Sequence, residues 1–495
     1  MLKTKSLVSF SWLILLLAFA SFAKAQDQAK IVVNSFDKIR KSEAALQYFF
    51  SRMPKGGDLH NHLTGSVYAE TYFDIAVKEG MFLDPDSYIL YLQNDSNRPE
   101  RCIQLSPDMK NLHDWRVRCI DHWSVRNFKT SQAAFPPDEF FFATFGKFGQ
   151  ATNRYLVDFL KELRIRAQAE NVQYLEIMAT GAKTNSLFIT KYSKENDSII
   201  QQIKRKDDFA IKATLETLYH QWEKDDLFQQ DIANYSNLID SLDSASKTVA
   251  PEVLVYYQTY ASRNVADPIK VYAQLYVGFK TAQKNPKLVG VNIVQAENGD
   301  YAIRDYWGHM KMFLMLKFFT KNKIKAAMHA GELCLGLVPP EDLQSHIWDA
   351  VMVGGADRIG HGVDIVFEKQ AENLLSLMEK RKTAVEINLT SNEFILGVKG
   401  DTHPIMVYHE NNVPIVLSTD DPGILRTNLT QQFVIAAMRY PELTYSDFKT
   451  FVLNSIEYSF MPEKDKETIK TKLQSLLNTF EGKMPGEMDQ VFGIQ

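Results

Sequence analysis

The sequence predicts a (β/α)8 barrel, an α/β fold of the TIM-barrel type carrying an N-terminal helix and an insertion after the first strand. Three observations predict it. Eight short β-type runs alternate with long amphipathic stretches, the pattern of parallel strands joined by helices. The alternation fills roughly 430 residues, which suits one decorated barrel. The residues able to do chemistry stand directly behind those runs, where a barrel gathers its site.

Residues 1–25 read as a signal peptide. Lys3 and Lys5 precede an apolar run from Trp12 to Ala20, and Ala23-Lys24-Ala25 supplies a small-residue cleavage site. The run is too short to span a bilayer comfortably, so the expected product is exported, periplasmic or secreted, with no stable membrane insertion after cleavage. Residues 26–52 form an N-terminal helical segment, read as one helix from Phe36 to Arg52. A single (β/α)8 barrel domain is expected over 53–485. Its strand runs lie at 58–63, 172–178, 252–257, 289–294, 324–329, 357–362, 384–388 and 414–418. Residues 84–135, with Pro85, Cys102, Trp115, Cys119 and Trp123, are expected to form a compact insertion over the barrel mouth. Residues 182–250, rich in Lys, Asp and Gln, read as solvated helices.

Composition narrows the function. The chain has 495 residues and 45% apolar content, enough for a large core. Its formal charge is −4, and removal of the leader takes three lysines and no acids. Such an acidic protein is a poor non-specific binder of nucleic acid. The cysteines are Cys102, Cys119 and Cys334. Export permits a Cys102–Cys119 bridge contributing ~3 kcal/mol, while the spacing alone is equally compatible with free thiols.

Four separated motifs carry chemistry: His60-Asn61-His62, His329-Ala330-Gly331-Glu332, Gly360-His361-Gly362 and Ser418-Thr419-Asp420-Asp421-Pro422. Positions i and i+2 of a strand share a face, so His60 and His62 can reach one ion. A lone pair of this kind is common by chance, and its weight comes from company. His329 can add a third nitrogen and Asp420 an oxygen, a donor set suited to one catalytic Zn2+ per chain. Glu332, three residues beyond His329, can hold and relay a proton. His361, between glycines, can orient an attacking water, and Asp421 is free to hydrogen-bond substrate.

These stretches, together with Met53–Ser66, Arg358–Gly362 and Glu386–Asn392, resemble the adenosine deaminase family of the amidohydrolase superfamily. The leader and the Cys-bearing insertion resemble its secreted branch, the adenosine deaminase-related growth factors. The resemblance implies zinc on His60, His62, His329 and Asp420, with Glu332 protonating the purine at N1. It further implies that His361 positions the water attacking C6, that Asp421 hydrogen-bonds N7, and that ammonia leaves. Superfamily relatives with two metals use a lysine near the end of the fourth strand. The run Val291–Glu297 contains none, which favours one metal.

Two departures bear on the substrate. Thr64 stands where the family's His-x-His-Leu-Asp-Gly sequence has an Asp near the ribose, and Gln295 stands where a Gly commonly meets the purine N3 edge. The expected reaction is hydrolytic deamination of adenosine or 2′-deoxyadenosine to inosine outside the cytoplasm. The alternatives are another 6-aminopurine, such as adenine or a modified adenosine, or a nucleoside- or receptor-binding growth-factor-like protein. The N-terminal helix and the insertion are surfaces through which a homodimer could form.

Overall fold

The computed structural model describes residues 31–131, 135–152, 154–185 and 187–494. The leader at 1–25 lies outside these residues. All eight predicted strands are present, as β1 Gly57–His62, β2 Tyr174–Gly181, β3 Leu254–Ser262, β4 Leu288–Val294, β5 Lys325–Ala330, β6 Arg358–His361, β7 Ala384–Ile387 and β8 Ile415–Leu417. They pair in chain order, each parallel to the next. Asn61 bridges Asp420 to close the ring. The seam carries two backbone bonds, His62 N to Asp420 O at 3.0 Å and Asp420 N to His60 O at 2.8 Å. Asp58 staples it from below, accepting from Thr419 Oγ1 at 2.5 Å and Asn61 Nδ2 at 3.1 Å. The closure therefore seats β1 and β8, which carry three candidate ligands, side by side.

The strands are short and apolar because helices cover their outer faces and side chains fill the interior. Within these runs stand buried polar residues, among them Glu176, Gln258, Asn292, Arg358 and Glu386. Each points to a job, since an unpaired polar group at that depth costs several kcal/mol.

One helix from Phe36 to Arg52 was expected, and two are observed, at 31–39 and Glu43–Arg52. The break comes from Ser42, whose side chain caps the second helix by accepting from Ala45 N at 3.2 Å. Both helices pack aromatic faces on the C-terminal helices. Phe36 meets Phe448 at 5.6 Å, Phe50 meets Phe433 at 5.5 Å and Phe49 meets Phe480 at 5.1 Å.

The insertion after β1 holds a three-stranded antiparallel sheet of Phe82–Leu83, Leu90–Tyr91 and Ile103–Gln104, then the helix Leu112–His122. The Cys102–Cys119 bridge allowed by the sequence does not form. All three cysteines are free thiols, with Cys119 on the buried face of its helix and Cys102 half-buried at the sheet. An ion pair clamps the sheet instead: Arg101 donates to both oxygens of Asp84, at 2.8 and 2.5 Å, and holds that carboxyl well below the usual range. Residues 187–246 form four helices, as expected for that polar stretch, each turning an apolar side inward.

Candidate active site

The strand ends deliver the predicted ligands to one point. One ligand atom each from His60, His62, His329 and Asp420 lies within 4.8 Å of the other three. His62 Nε2 is 3.2 Å from His329 Nε2 and 3.3 Å from Asp420 Oδ1, which is 3.4 Å from His60 Nε2. Bonds of ~2.0–2.1 Å in a tetrahedron have edges of about 3.3 Å, so the spacing fits an ion. The buried His60 Nε2 has no hydrogen-bond partner, as a nitrogen kept for a metal would. Burial lowers His62 to about 4 and His329 well below its ordinary range, so both are neutral lone-pair donors at neutral pH.

Neighbouring groups fix the aim of each ligand. His60 Nδ1 donates to Glu386 Oε2 at 2.7 Å and His329 Nδ1 to Asn292 Oδ1 at 2.9 Å, which turns both Nε2 lone pairs inward. Ser391 Oγ donates to Asp420 Oδ2 at 2.7 Å, leaving Oδ1 for the imidazoles. His361 is set the opposite way. Ile405 N donates to His403 Nδ1 at 3.2 Å, His403 Nε2 to Asn392 Oδ1 at 3.0 Å, and Asn392 Nδ2 to His361 Nδ1 at 2.9 Å. His361 therefore carries its proton on Nε2, which is buried and unpartnered. It is a donor beside the ligands, suited to holding an oxygen.

Glu332 is buried, with Oε1 3.6 Å from His361 Nδ1. Burial, reinforced by Asp420, raises its carboxyl to about 8, so it holds a proton at neutral pH. Its backbone is pinned by Glu297, which accepts from Glu332 N at 2.9 Å and Gly331 N at 3.2 Å. Asp421 is likewise raised well above its ordinary value, by burial and by Asp420. Gly65 makes room for it: a Cβ there would lie 1.5 Å from Asp421 Oδ1.

Three of these residues hold left-handed backbone, His361 at φ 69°, Asp420 at 63° and Gln295 at 82°. Each such residue costs ~1–3 kcal/mol, a strain that clusters where side chains must be aimed.

The site opens into a cavity of 320 Å³. His62, His329, Glu332, His361, Asp420 and Asp421 form its base, with Thr64 and Gln295 on the walls. The sequence reading did not find the roof, which is Phe141, Phe142 and Phe145 on the helix Pro137–Phe148. Nor did it assign Tyr260, Ser262 or Asn264. No Lys or Arg is among the described lining residues. Gln295 Oε1 accepts from Asn264 N at 3.0 Å, and its carbonyl from Arg263 Nε at 2.8 Å.

A family model described as adenosine deaminase matches residues 232–476, which carry His329, Glu332, His361, Asp420 and Asp421 in this arrangement. Residues 232–476 belong to the adenosine deaminase family. An adenosine deaminase of Clostridium perfringens is 29% identical over 197 residues, 39% of this chain and 55% of that one. The chain thus spans about half the length of the curated relatives it matches. An adenine deaminase of Arthrobacter aurescens shares the fold with a TM-score of 0.53 at 15% identity, covering 85% of this chain and 98% of that chain. An Arabidopsis N6-mAMP deaminase does so at 0.54 and 17%, covering 86% and 99%. Within the family frame, His60 and His62 lie outside the matched segment and are assigned by their geometry.

Proposed function

We propose that this protein hydrolytically deaminates adenosine or 2′-deoxyadenosine to the inosine product and ammonia, with one zinc ion on His60, His62, His329 and Asp420. The observation that carries the reading is a proton-bearing, buried Glu332 facing a cavity whose base holds His62, His329 and Asp420, which gather with His60 in one ligand cluster. Three nitrogens and one oxygen gathered within 4.8 Å suit zinc over harder cations. Zinc, when bound, supplies Lewis acidity that brings the pKa of water toward neutrality.

The chain's own residues do the rest. Glu332 delivers its proton to N1 of the purine, which makes C6 electrophilic. His361 Nε2–H holds the attacking water on the correct face. Asp421, protonated, donates to N7, an acceptor. The aromatic roof excludes bulk water, which strengthens each of these contacts.

The walls support a nucleoside. Thr64, Ser262, Asn264 and Gln295 offer neutral donors and acceptors for sugar hydroxyls, and the lack of a lining cation disfavours a phosphate. A second reading, adenine or a modified adenosine, draws support from Gln295, whose side chain occupies ground a bare backbone would leave to the base. We further propose export on the strength of residues 1–25; a protein found in the cytoplasm with its leader intact would sink that reading.

Purified protein with stoichiometric zinc should release ammonia from adenosine. If none is released across a panel of aminopurine bases and nucleosides, the proposal fails. Glu332→Gln should cut turnover by ~10²–10⁴-fold while zinc is retained. Unchanged turnover would remove Glu332 from its role.

A further inference from the structure

The polar residues buried in the barrel interior form one connected path. From His60 Nδ1 it runs to Glu386 Oε2, then from Glu386 Oε1 to Arg358 Nε at 2.5 Å, and from Arg358 to Glu176 Oε1 at 2.5 Å. From the same Glu176 oxygen it continues to Gln258 Nε2 at 2.9 Å, from Gln258 Oε1 to Asn292 Nδ2 at 3.3 Å, and from Asn292 Oδ1 to His329 Nδ1. Both ends are therefore candidate ligand histidines, and Glu176 lies at the middle.

Glu176 touches neither ligand. Its four contacts are all donors: Arg358 and Gln258 on Oε1, and Phe460 N at 2.8 Å with Tyr174 Oη at 2.7 Å on Oε2. Only an ionised carboxylate can accept all four. An amide of the same shape turns an NH2 toward two of them. If it faces Arg358 and Gln258, both arms of the path lose their acceptor. If it faces the other pair, it meets a backbone N–H that cannot rotate away. The direction of the path is set accordingly. Arg358, held by Glu176, braces Glu386 against His60. Gln258, turned NH2-first to Glu176, offers its carbonyl to Asn292, whose own carbonyl then faces His329.

We infer that Glu176 is a positioning residue for both ligand histidines at once, and that its acceptor-only chemistry, rather than its bulk, holds their metal-facing nitrogens in place. This rests on the metal reading of the His60, His62, His329 and Asp420 cluster. It differs from the relay behind His361, which starts at a backbone N–H and presents a donor to the cavity.

The test is zinc partition between the full-length protein and a competing chelator, read by metal analysis, alongside thermal unfolding of the metal-free protein. Glu176→Gln should release zinc about tenfold more readily than wild type, the lower end of what outer partners of ligand histidines contribute. Glu176→Asp, shorter but still acceptor-only, should retain more zinc than the isosteric Gln. A space-filling role predicts the reverse order. Should Glu176→Gln fail to fold, Gln258→Leu cuts only the His329 arm and should weaken retention severalfold. Wild-type retention in Glu176→Gln, or in Gln258→Leu where that replaces it, or Gln outperforming Asp, overturns the inference. A wild-type protein that takes up no zinc overturns the metal reading itself.

Discussion

On the barrel side of the cavity, the polar side chains behind the ligands are tied in place. Glu386, Asn292, Ser391 and Asn392 each spend a polar atom on a residue of the site, and Glu386, Asn292 and Asn392 are themselves held by Arg358, Gln258 and His403. On the roof side, three phenylalanines arrive on one helix whose anchors are few. Asp138 accepts from Asn298 Nδ2 at 3.1 Å, and Lys147 Nζ donates to the His122 carbonyl at 3.0 Å. The base of the cavity is preorganised, as chemistry on a developing charge requires. The roof contributes area and dryness, which tolerate adjustment. The hydrogen-bonded half thus aims the reacting groups, and the apolar half encloses them.

Substitutions can break or sharpen this contrast. Asp420→Ala should have the largest effect, with zinc and turnover both lost. Stoichiometric zinc in that variant would refute the ligand set. Gly65→Ala comes next, because its Cβ would sit 1.5 Å from Asp421 Oδ1 and displace that carboxyl. A fall in kcat of ~10²-fold at full zinc occupancy is expected, the scale of a displaced reacting group. Unchanged kcat would show that Asp421 works from elsewhere. Gln295→Gly, on the wall, should be smallest. It relieves a left-handed backbone and should raise stability by ~1 kcal/mol in a denaturation titration, with only a severalfold change in the ratio of adenosine to adenine turnover. A loss of zinc in that variant would erase the distinction between the two halves.

The candidate ligands could be picked out in sequence because barrel geometry forces such residues to follow apolar runs, and each of the eight runs is a strand. The groups behind the ligands were legible only in principle. Glu386 in Ala-Val-Glu-Ile, Glu176 in Tyr-Leu-Glu-Ile-Met and Asn292 in Val-Asn-Ile-Val are lone polar residues inside buried strands. That is a signal of an interior network, but it names no partner. The roof was hidden for a different reason: Phe141, Phe142 and Phe145 at helical spacing look the same whether they face a core or a cavity. The helix break at Ser42 was decided by local capping, and the free thiols of Cys102 and Cys119 by where the sheet and the helix place them, neither visible as a pattern.

The aromatic joint between residues 31–52 and the C-terminal helices bears on how the molecule is made. Phe36, Phe49 and Phe50 find their partners at Phe433, Phe448 and Phe480, and the β1–β8 seam likewise waits for Asp420. The first elements synthesised cannot bury their apolar faces until the last have emerged. Contacts this distant along the chain make folding slow and late. The N-terminal segment therefore stays accessible throughout synthesis, a long window in which other machinery can engage it before the barrel shuts.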